Sequence, residues 1–283
     1  MKWSLVTFGA GHWSWSLSTS RLRSQALRSR EFADVSVKGE AWLRKKHSHI
    51  WSYAQTESGR RGYGYWRWKP HLIWETLSST PDKSTGVVYL DAGSELNLNS
   101  KSRARLHDYF STAEKMGPVV MSLDHRLIHW CKRETLDYFG INYQVARRLP
   151  IVESGQLVLA PTAESFDLVR EWTTCADESD GFLFDDQLDS SIQLSGFREH
   201  RHDQAVLTCL MYRQGLASIP NEVYFAPTWL PDGEEFPIWS IRNKYPFSRK
   251  PGTLGERLIR VGKMVRRVAR ARLKGASELD SFT

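Results

Sequence analysis

The chain has 283 residues, 41% of them hydrophobic and 25% charged. This composition excludes disordered, collagen-like and coiled-coil classes and suits one large α/β unit or two small domains. The net charge is +7, but Arg242 to Lys274 holds twelve Lys and Arg against one acid, Glu256, while residues 1–241 hold 27 basic and 29 acidic residues. The excess therefore sits in a C-terminal arm, which argues against a nucleic-acid groove lined with basic charge.

No apolar run approaches the roughly 18–20 residues that span a bilayer. Met1-Lys2 leads into a strand-like run rather than a leader peptide, so a cytoplasmic protein is expected. Cys131, Cys175 and Cys209 are odd in number and far apart. That spacing suits neither a disulfide framework nor a CxxC zinc site, and the three read as reduced, buried small hydrophobes.

In chain order, Trp3 to Phe8 reads as a short buried strand followed by the turn Gly9-Ala10-Gly11. A helix is expected over Ser18 to Phe32, a strand at Val35 to Val37 and a short helix over Glu40 to His47. Gly59 to Trp68, rich in glycine, arginine and aromatics, feeds a helix from Lys69 or Pro70 to Leu77, with proline in the first turn. Gly86 to Leu90 is a hydrophobic strand ending at Asp91-Ala92-Gly93. Ser100 to Lys115 reads as helix, Pro118 to Leu123 as strand and Lys132 to Phe139 as helix, an alternation that indicates an α/β sheet. Ile151 to Leu159 is expected as one strand around Gly155, and Thr162 to Cys175 as a helix with Phe166, Val169, Trp172 and Cys175 on one stripe. The acidic stretch Asp177 to His200 is a long loop of a kind that is usually functional or mobile. His202 to Arg213 is a helix closed by Gly215, and Ile238 to Lys244 ends the body.

Three places concentrate chemistry. Asp91 follows a buried strand, where open α/β sheets bind ligands, and Gly93 permits close approach; a strand-end Asp can equally cap a turn. Arg60, Arg61, Arg67 and Lys69 stand among Tyr63, Tyr65, Trp66 and Trp68, where basic groups can neutralise a diphosphate and aromatic faces can carry a base or sugar. The alternative is a solvated Arg pair beside core aromatics. Glu199 to Gln204 places two His and a Gln beside Asp203 at a helix start. This suits orientation of hydroxyls and proton movement, although Asp203 could be a capping residue alone. The P-loop, HExxH and GxSxG motifs are absent. Gly9-Ala10-Gly11-His12-Trp13-Ser14 lacks the third glycine of a dinucleotide fingerprint, which weakens a Rossmann NAD- or S-adenosylmethionine-dependent reading.

The order of three segments carries more information than any one: Gly62-Tyr63-Gly64-Tyr65-Trp66-Arg67-Trp68-Lys69-Pro70, then Tyr89-Leu90-Asp91-Ala92-Gly93, then His200-Arg201-His202-Asp203-Gln204. Over residues 1–245 the chain resembles a family of bacterial nucleotide-sugar glycosyltransferases with a GT-A fold, a mixed central sheet flanked by helices. The resemblance implies a GT-A-like catalytic domain over residues 1–245, using a nucleotide-diphosphate sugar as donor and a glycan or lipid-linked saccharide as acceptor in cell-surface polysaccharide synthesis. It implies that Thr7, Phe8 and Gly9 approach the nucleotide, and that Arg61, Tyr65, Trp66, Lys69, Gly93 and Gln204 contact the donor. Asp91 would bind Mn²⁺ or Mg²⁺ with the diphosphate. Asp203 is the first catalytic candidate, with His202 and Glu153 behind it. Gly93 stands where the common motif has a second Asp, so Glu95 or a remote side chain would complete a metal shell. A late metal-ligand His is missing from Trp239-Ser240-Ile241-Arg242.

Residues 246–283 form the basic arm. Leu254, Leu258, Val261, Val265 and Val268 recur at four- and three-residue steps with Arg257, Arg260, Lys263, Arg266, Arg267 and Arg270 between them. This is the pattern of an amphipathic helix over 254–274 that can lie on an anionic membrane, here the inner face, or pack on the body with a charged outer face. A non-catalytic carbohydrate-binding protein that uses the twelve tryptophans is the competing reading outside enzymes.

Overall fold

The structure is a computed structural model and describes every residue except 80–83, 227–228, 231, 251, 256, 260 and 263–283. Arg260, Lys263, Val265, Arg266, Arg267, Val268 and Arg270 of the expected amphipathic pattern lie outside the described residues. The chain runs β1 (Lys2–Gly9), α1 (Trp13–Ser29), β2 (Asp34–Gly39), α2 (Glu40–Lys46), α3 (Ser48–Ala54), α4 (Gly62–Tyr65), α5 (Trp68–Leu77), β3 (Thr85–Leu90) and β4 (Glu95–Leu96). It continues through α6 (Ser100–Met116), β5 (Ser122–Arg126), α7 (Arg133–Tyr138), α8 (Tyr143–Arg148), β6 (Pro150–Val152), β7 (Gln156–Leu159), α9 (Ala163–Glu178), α10 (His202–Arg213) and β8 (Ile238–Trp239).

The central sheet has the order β2-β1-β3-β7. β1 pairs parallel with β2 and β3, and β7 closes the edge antiparallel to β3. Because side chains alternate along a strand, each strand feeds two cores. Val6, Phe8, Val87, Tyr89, Leu157 and Leu159 pack on one face with residues of α5, α9 and α10, including Leu72, Trp172 and Val206. Trp3, Leu5, Val88, Leu90 and Val158 pack on the other with Leu22 of α1 and Leu106 and Phe110 of α6. Burial on both faces explains why these strands read as continuous apolar runs, and each fully buried Leu, Val or Phe contributes about 1.5–3 kcal/mol. The alternation also fixes the site: Asp91 lies two residues beyond Tyr89 and so continues the face on which α5 and α10 are packed. The three cysteines are buried and free, as the sequence suggests.

Four departures from the sequence expectation have local causes. Helix α1 starts at Trp13 rather than Ser18, because His12 Nδ1 caps it by accepting from the Ser14 backbone N–H at 3.2 Å. The expected strand at 118–123 begins only at Ser122; Val119 and Met121 make isolated bridges to Val158 and Ile219. Ile151 to Leu159 is two strands rather than one. β6 pairs with β5 and β7 with β3, and the break at 153–155 presses Gly155 against Asp91, whose N–H donates to the Gly155 carbonyl at 2.8 Å. Finally, α3 follows α2 after His47, where no separate helix was expected.

Residues 62–66 form a left-handed turn. Gly62, Tyr63, Gly64, Tyr65 and Trp66 all have positive φ, between 55° and 94°, a region that strains residues with a Cβ. The turn is closed by the Tyr65 N–H to the Arg61 carbonyl at 2.8 Å and the Trp68 indole N–H to the Gly62 carbonyl at 3.1 Å.

Candidate active site

Three elements deliver charged groups to one point. β3 ends at Asp91, α5 carries Lys69 in its first turn, and α10 carries Asp203 in its first turn. The Lys69 side chain is 1% exposed, and its ammonium donates to Asp203 Oδ2 at 2.5 Å and the Ser154 carbonyl at 3.2 Å, with Asp91 Oδ1 at 3.5 Å. Burial alone would push the Lys69 pKa down, but Asp203 and Asp91 outweigh it and raise the value, so the lysine stays charged. Tyr89 donates its hydroxyl to Asp91 Oδ1 at 2.5 Å; burial and the Asp91 charge push the Tyr89 pKa well up.

Glu153 completes the cluster. Its carboxylate accepts the Gly155 N–H at 2.9 Å. Loss of solvation, reinforced by the charges of Asp91 and Asp203, holds its pKa above the usual carboxylate range. A Cβ on Gly155 would lie 2.7 Å from Asp91 Oδ2 and 2.8 Å from Glu153 Oε1, so the glycine is what lets the two carboxylates approach. Three carboxyl groups thus surround one ammonium.

The other sequence candidates divide. Thr7 is fully buried with no hydrogen-bond partner for its hydroxyl. Phe8 stacks on Trp68 at 3.9 Å and belongs to the core. Gly9 lies against α1, where a Cβ would meet Trp15 O at 3.0 Å. Gly93 makes room for the protein's own backbone: a Cβ there would meet Arg242 Cα at 2.9 Å, and its carbonyl accepts the Asn243 N–H at 2.8 Å. Arg61 is half-exposed and pairs with Asp186 at 3.2 Å. Tyr65 and Trp66 place their rings 5.0 and 5.4 Å from the His202 ring, while Gln204 follows Asp203 with its side chain part-exposed.

Glu95 is fully buried and accepts from Asn243 Nδ2 at 2.7 Å, the Arg249 N–H at 2.6 Å and the Ser248 hydroxyl. This spends it on holding the C-terminal segment and removes it as a second metal ligand. Arg21 donates to the carbonyls of Ala92, Ser94, Asn243 and Tyr245 at 2.7–3.0 Å, and burial pulls its pKa down to about 10. The Asp91 turn and residues 243–249 are therefore clamped together by Arg21 and Glu95. The sequence reading missed Tyr89 and Arg21. Tyr89 was findable from the i, i+2 alternation with Asp91, whereas nothing in the sequence around Arg21 marks it as buried.

Among the described residues no group of three or more His, Cys, Asp or Glu side chains is arranged to hold a metal ion. Asp91 nevertheless fits a hard divalent cation as its protein anchor. It is 41% exposed, Oδ1 is taken by Tyr89 and Lys69, and Oδ2 faces the Glu153 side. Such cations commonly use one or two carboxylates, with substrate oxygens and water completing the shell. A surface cavity of about 550 Å³ lies elsewhere, at the start of β1 beside Trp3, Arg30, Glu31 and His107, and plays no part in this cluster.

No protein-family model matches the sequence, and no curated protein matches it. Solved structures similar to it include mouse xyloside xylosyltransferase 1 in its apo form, at 14% identity over 81% of this chain and 89% of that one, with a TM-score of 0.44. They also include the galactosyltransferase LgtC in complex with donor and acceptor sugar analogues, at 11% identity over 92% of this chain and 95% of that one, with a TM-score of 0.42.

Proposed function

We propose that the protein is a nucleotide-sugar-dependent glycosyltransferase of GT-A-like fold, with its catalytic domain over residues 1–245. In this reading it transfers a hexose-type sugar to a glycan or lipid-linked saccharide in cell-surface polysaccharide synthesis. The observation that carries the proposal is the convergence of Asp91, Lys69, Asp203 and Glu153 beyond the carboxyl end of β3, where open α/β sheets bind their ligands.

The reaction forms a bond between the acceptor oxygen and the anomeric carbon, breaks the bond from that carbon to the diphosphate, and releases the acceptor proton. Asp91 is the residue that would hold Mn²⁺ or Mg²⁺ with the donor diphosphate. When bound, the cation supplies neutralisation of the charge growing on the leaving phosphate. Lys69 fixes the spacing of Asp91 and Asp203 and adds positive charge at the same place. Asp203 is held in a fixed orientation by its hydrogen bond from the Lys69 ammonium, which suits it to orient the acceptor hydroxyl or steady positive character at the anomeric carbon. Glu153, with its raised proton affinity, is better matched to carry the proton. Thr7 and Gly9, at the carboxyl end of β1, lie on the nucleotide side.

The arm over residues 246–283 adds a peripheral contact with an anionic membrane face. Leu254, Leu258 and Val261 are 73%, 56% and 55% exposed at i, i+4 and i+7, and each basic residue near such a surface contributes about 1 kcal/mol. Among the described residues no helix is long and apolar enough to cross a membrane. Binding to anionic liposomes that is unchanged on removing residues 252–283 would sink this part.

The central test is a thermal-shift panel of UDP, GDP, CMP and their sugars, with NAD and S-adenosylmethionine as controls, each with Mn²⁺ or chelator. Stabilisation by one nucleoside diphosphate in the presence of metal, lost in Asp91→Asn, is expected. At 100 times the dissociation constant the ligand adds about 2.7 kcal/mol. A shift with NAD or S-adenosylmethionine alone overturns the reading, and glycan binding without nucleotide binding moves it to a carbohydrate-binding protein.

A further inference from the structure

On the other side of α10's first turn stands a group of side chains that the chemistry above leaves unused. His202 sits at φ +46°, a conformation rare for a residue with a Cβ and one that is favoured where structure serves a site. Its ring is held by Tyr65 and Trp66 of the left-handed turn, so two strained pieces of backbone meet there. His202 Nδ1 lies 2.6 Å from the Phe184 carbonyl. A carbonyl only accepts, so Nδ1 carries the proton. Burial pushes the His202 pKa down, and the neutral ring therefore presents a lone pair at Nε2.

Nε2 has no hydrogen-bond partner although its side chain is only 4% exposed. Asp186 Oδ1 faces it at 3.8 Å, beyond hydrogen-bond range and itself an acceptor. Glu199 stands alongside: Arg61 reaches Asp186 at 3.2 Å and Glu199 at 3.8 Å, and Arg201 pairs with Glu199 at 2.9 Å. The group therefore offers an imidazole lone pair and two part-exposed carboxylates whose charge is balanced by arginines. A diphosphate brings only acceptors and negative charge and is disfavoured here. A polyol brings O–H donors: one hydroxyl can donate to Nε2 and its neighbour to Asp186, and Arg61 can donate to a third oxygen.

We infer that Arg61, Asp186, Glu199 and His202 seat the hydroxyl groups of an uncharged acceptor saccharide next to Asp203. This rests on the glycosyltransferase reading, and it moves Arg61 from the donor to the acceptor side of the site.

The test uses the full chain saturated with the nucleoside diphosphate that stabilises it. Saturation-transfer NMR is recorded with the methyl α- and β-D-glycosides of glucose, galactose and mannose as probes. Wild type is expected to bind at least one of them, and Asp186→Asn and Glu199→Gln to weaken that binding tenfold or more while the nucleotide thermal shift stays unchanged. Absence of glycoside binding by wild type, or variants that lose nucleotide rather than glycoside, overturns the inference. If no nucleoside diphosphate stabilises the wild type, it is the glycosyltransferase reading that fails instead, and the two failures are distinct. A circular-dichroism melt of each variant checks that it is folded.

Discussion

The ammonium of Lys69 lies 2.5 Å from Asp203 Oδ2, joining the first turns of two helices 134 residues apart in sequence. Both partners are buried, so removing one leaves an uncompensated charge, a loss of about 3–5 kcal/mol, whereas replacing both by apolar groups is close to neutral. Lys69→Met is therefore expected to lose that much in urea unfolding, and Lys69→Met with Asp203→Leu to regain most of it while staying inactive. A single variant as stable as wild type would show that the pair is not closed in solution.

Glu153 makes stability depend on pH. Its pKa is raised in the folded protein from an ordinary value of 4.5, so the folded state holds the proton longer than the unfolded chain does. The stabilising contribution is complete below about pH 4.5 and is lost as pH rises through the raised value. Glu153→Gln, which cannot ionise, is expected to melt level with wild type at low pH and to gain on it steadily above pH 4.5. Differential scanning calorimetry across that range reads the difference, and parallel curves would refute it.

Gly155→Ala places a methyl between Asp91 Oδ2 and Glu153 Oε1. The carboxylates must separate, at an overpacking penalty of about 1–3 kcal/mol, and nucleotide affinity should fall at least tenfold in titration calorimetry. Unchanged affinity would mean that the spacing of these carboxylates is irrelevant to binding.

Arg21→Lys replaces a planar fork by a single ammonium that cannot reach four carbonyls. Bonds from a charged donor contribute about 1.5–3 kcal/mol each, so a loss of about 2–4 kcal/mol is expected. Cleavage by a protease within residues 243–250 should rise in parallel. A stability loss with no gain in cleavage would place the effect elsewhere.

Much of this was legible from residues. Apolar runs gave β1 and β3, because strands buried on both faces must be apolar throughout, and the proline at position 70 marked the start of α5. Asp91, Glu153 and Asp203 were each singled out as candidates, but their meeting around Lys69 depends on strand order and on where two distant helices begin, which no local pattern carries. The break at 153–155 was hidden for a related reason. Val152 and Gln156 suit a strand equally well, and only pairing with different partners separates β6 from β7. Gly93 misled because a small residue records that something comes close without saying what; here it is backbone from residues 242 and 243.

The left-handed turn has a consequence for how the molecule assembles. Three of its residues, Tyr63, Tyr65 and Trp66, carry side chains in a conformation disfavoured by roughly 1–2 kcal/mol each, so the segment has no tendency to form on its own. It can settle only once α5 and α10 offer His202 and the core to pack on, which places it late in folding. Substitutions that strain it further, such as Gly64→Ala, should therefore leave the refolding rate nearly untouched and accelerate unfolding. A segment disfavoured in isolation is thus expected to govern how fast the native state opens rather than how fast it forms.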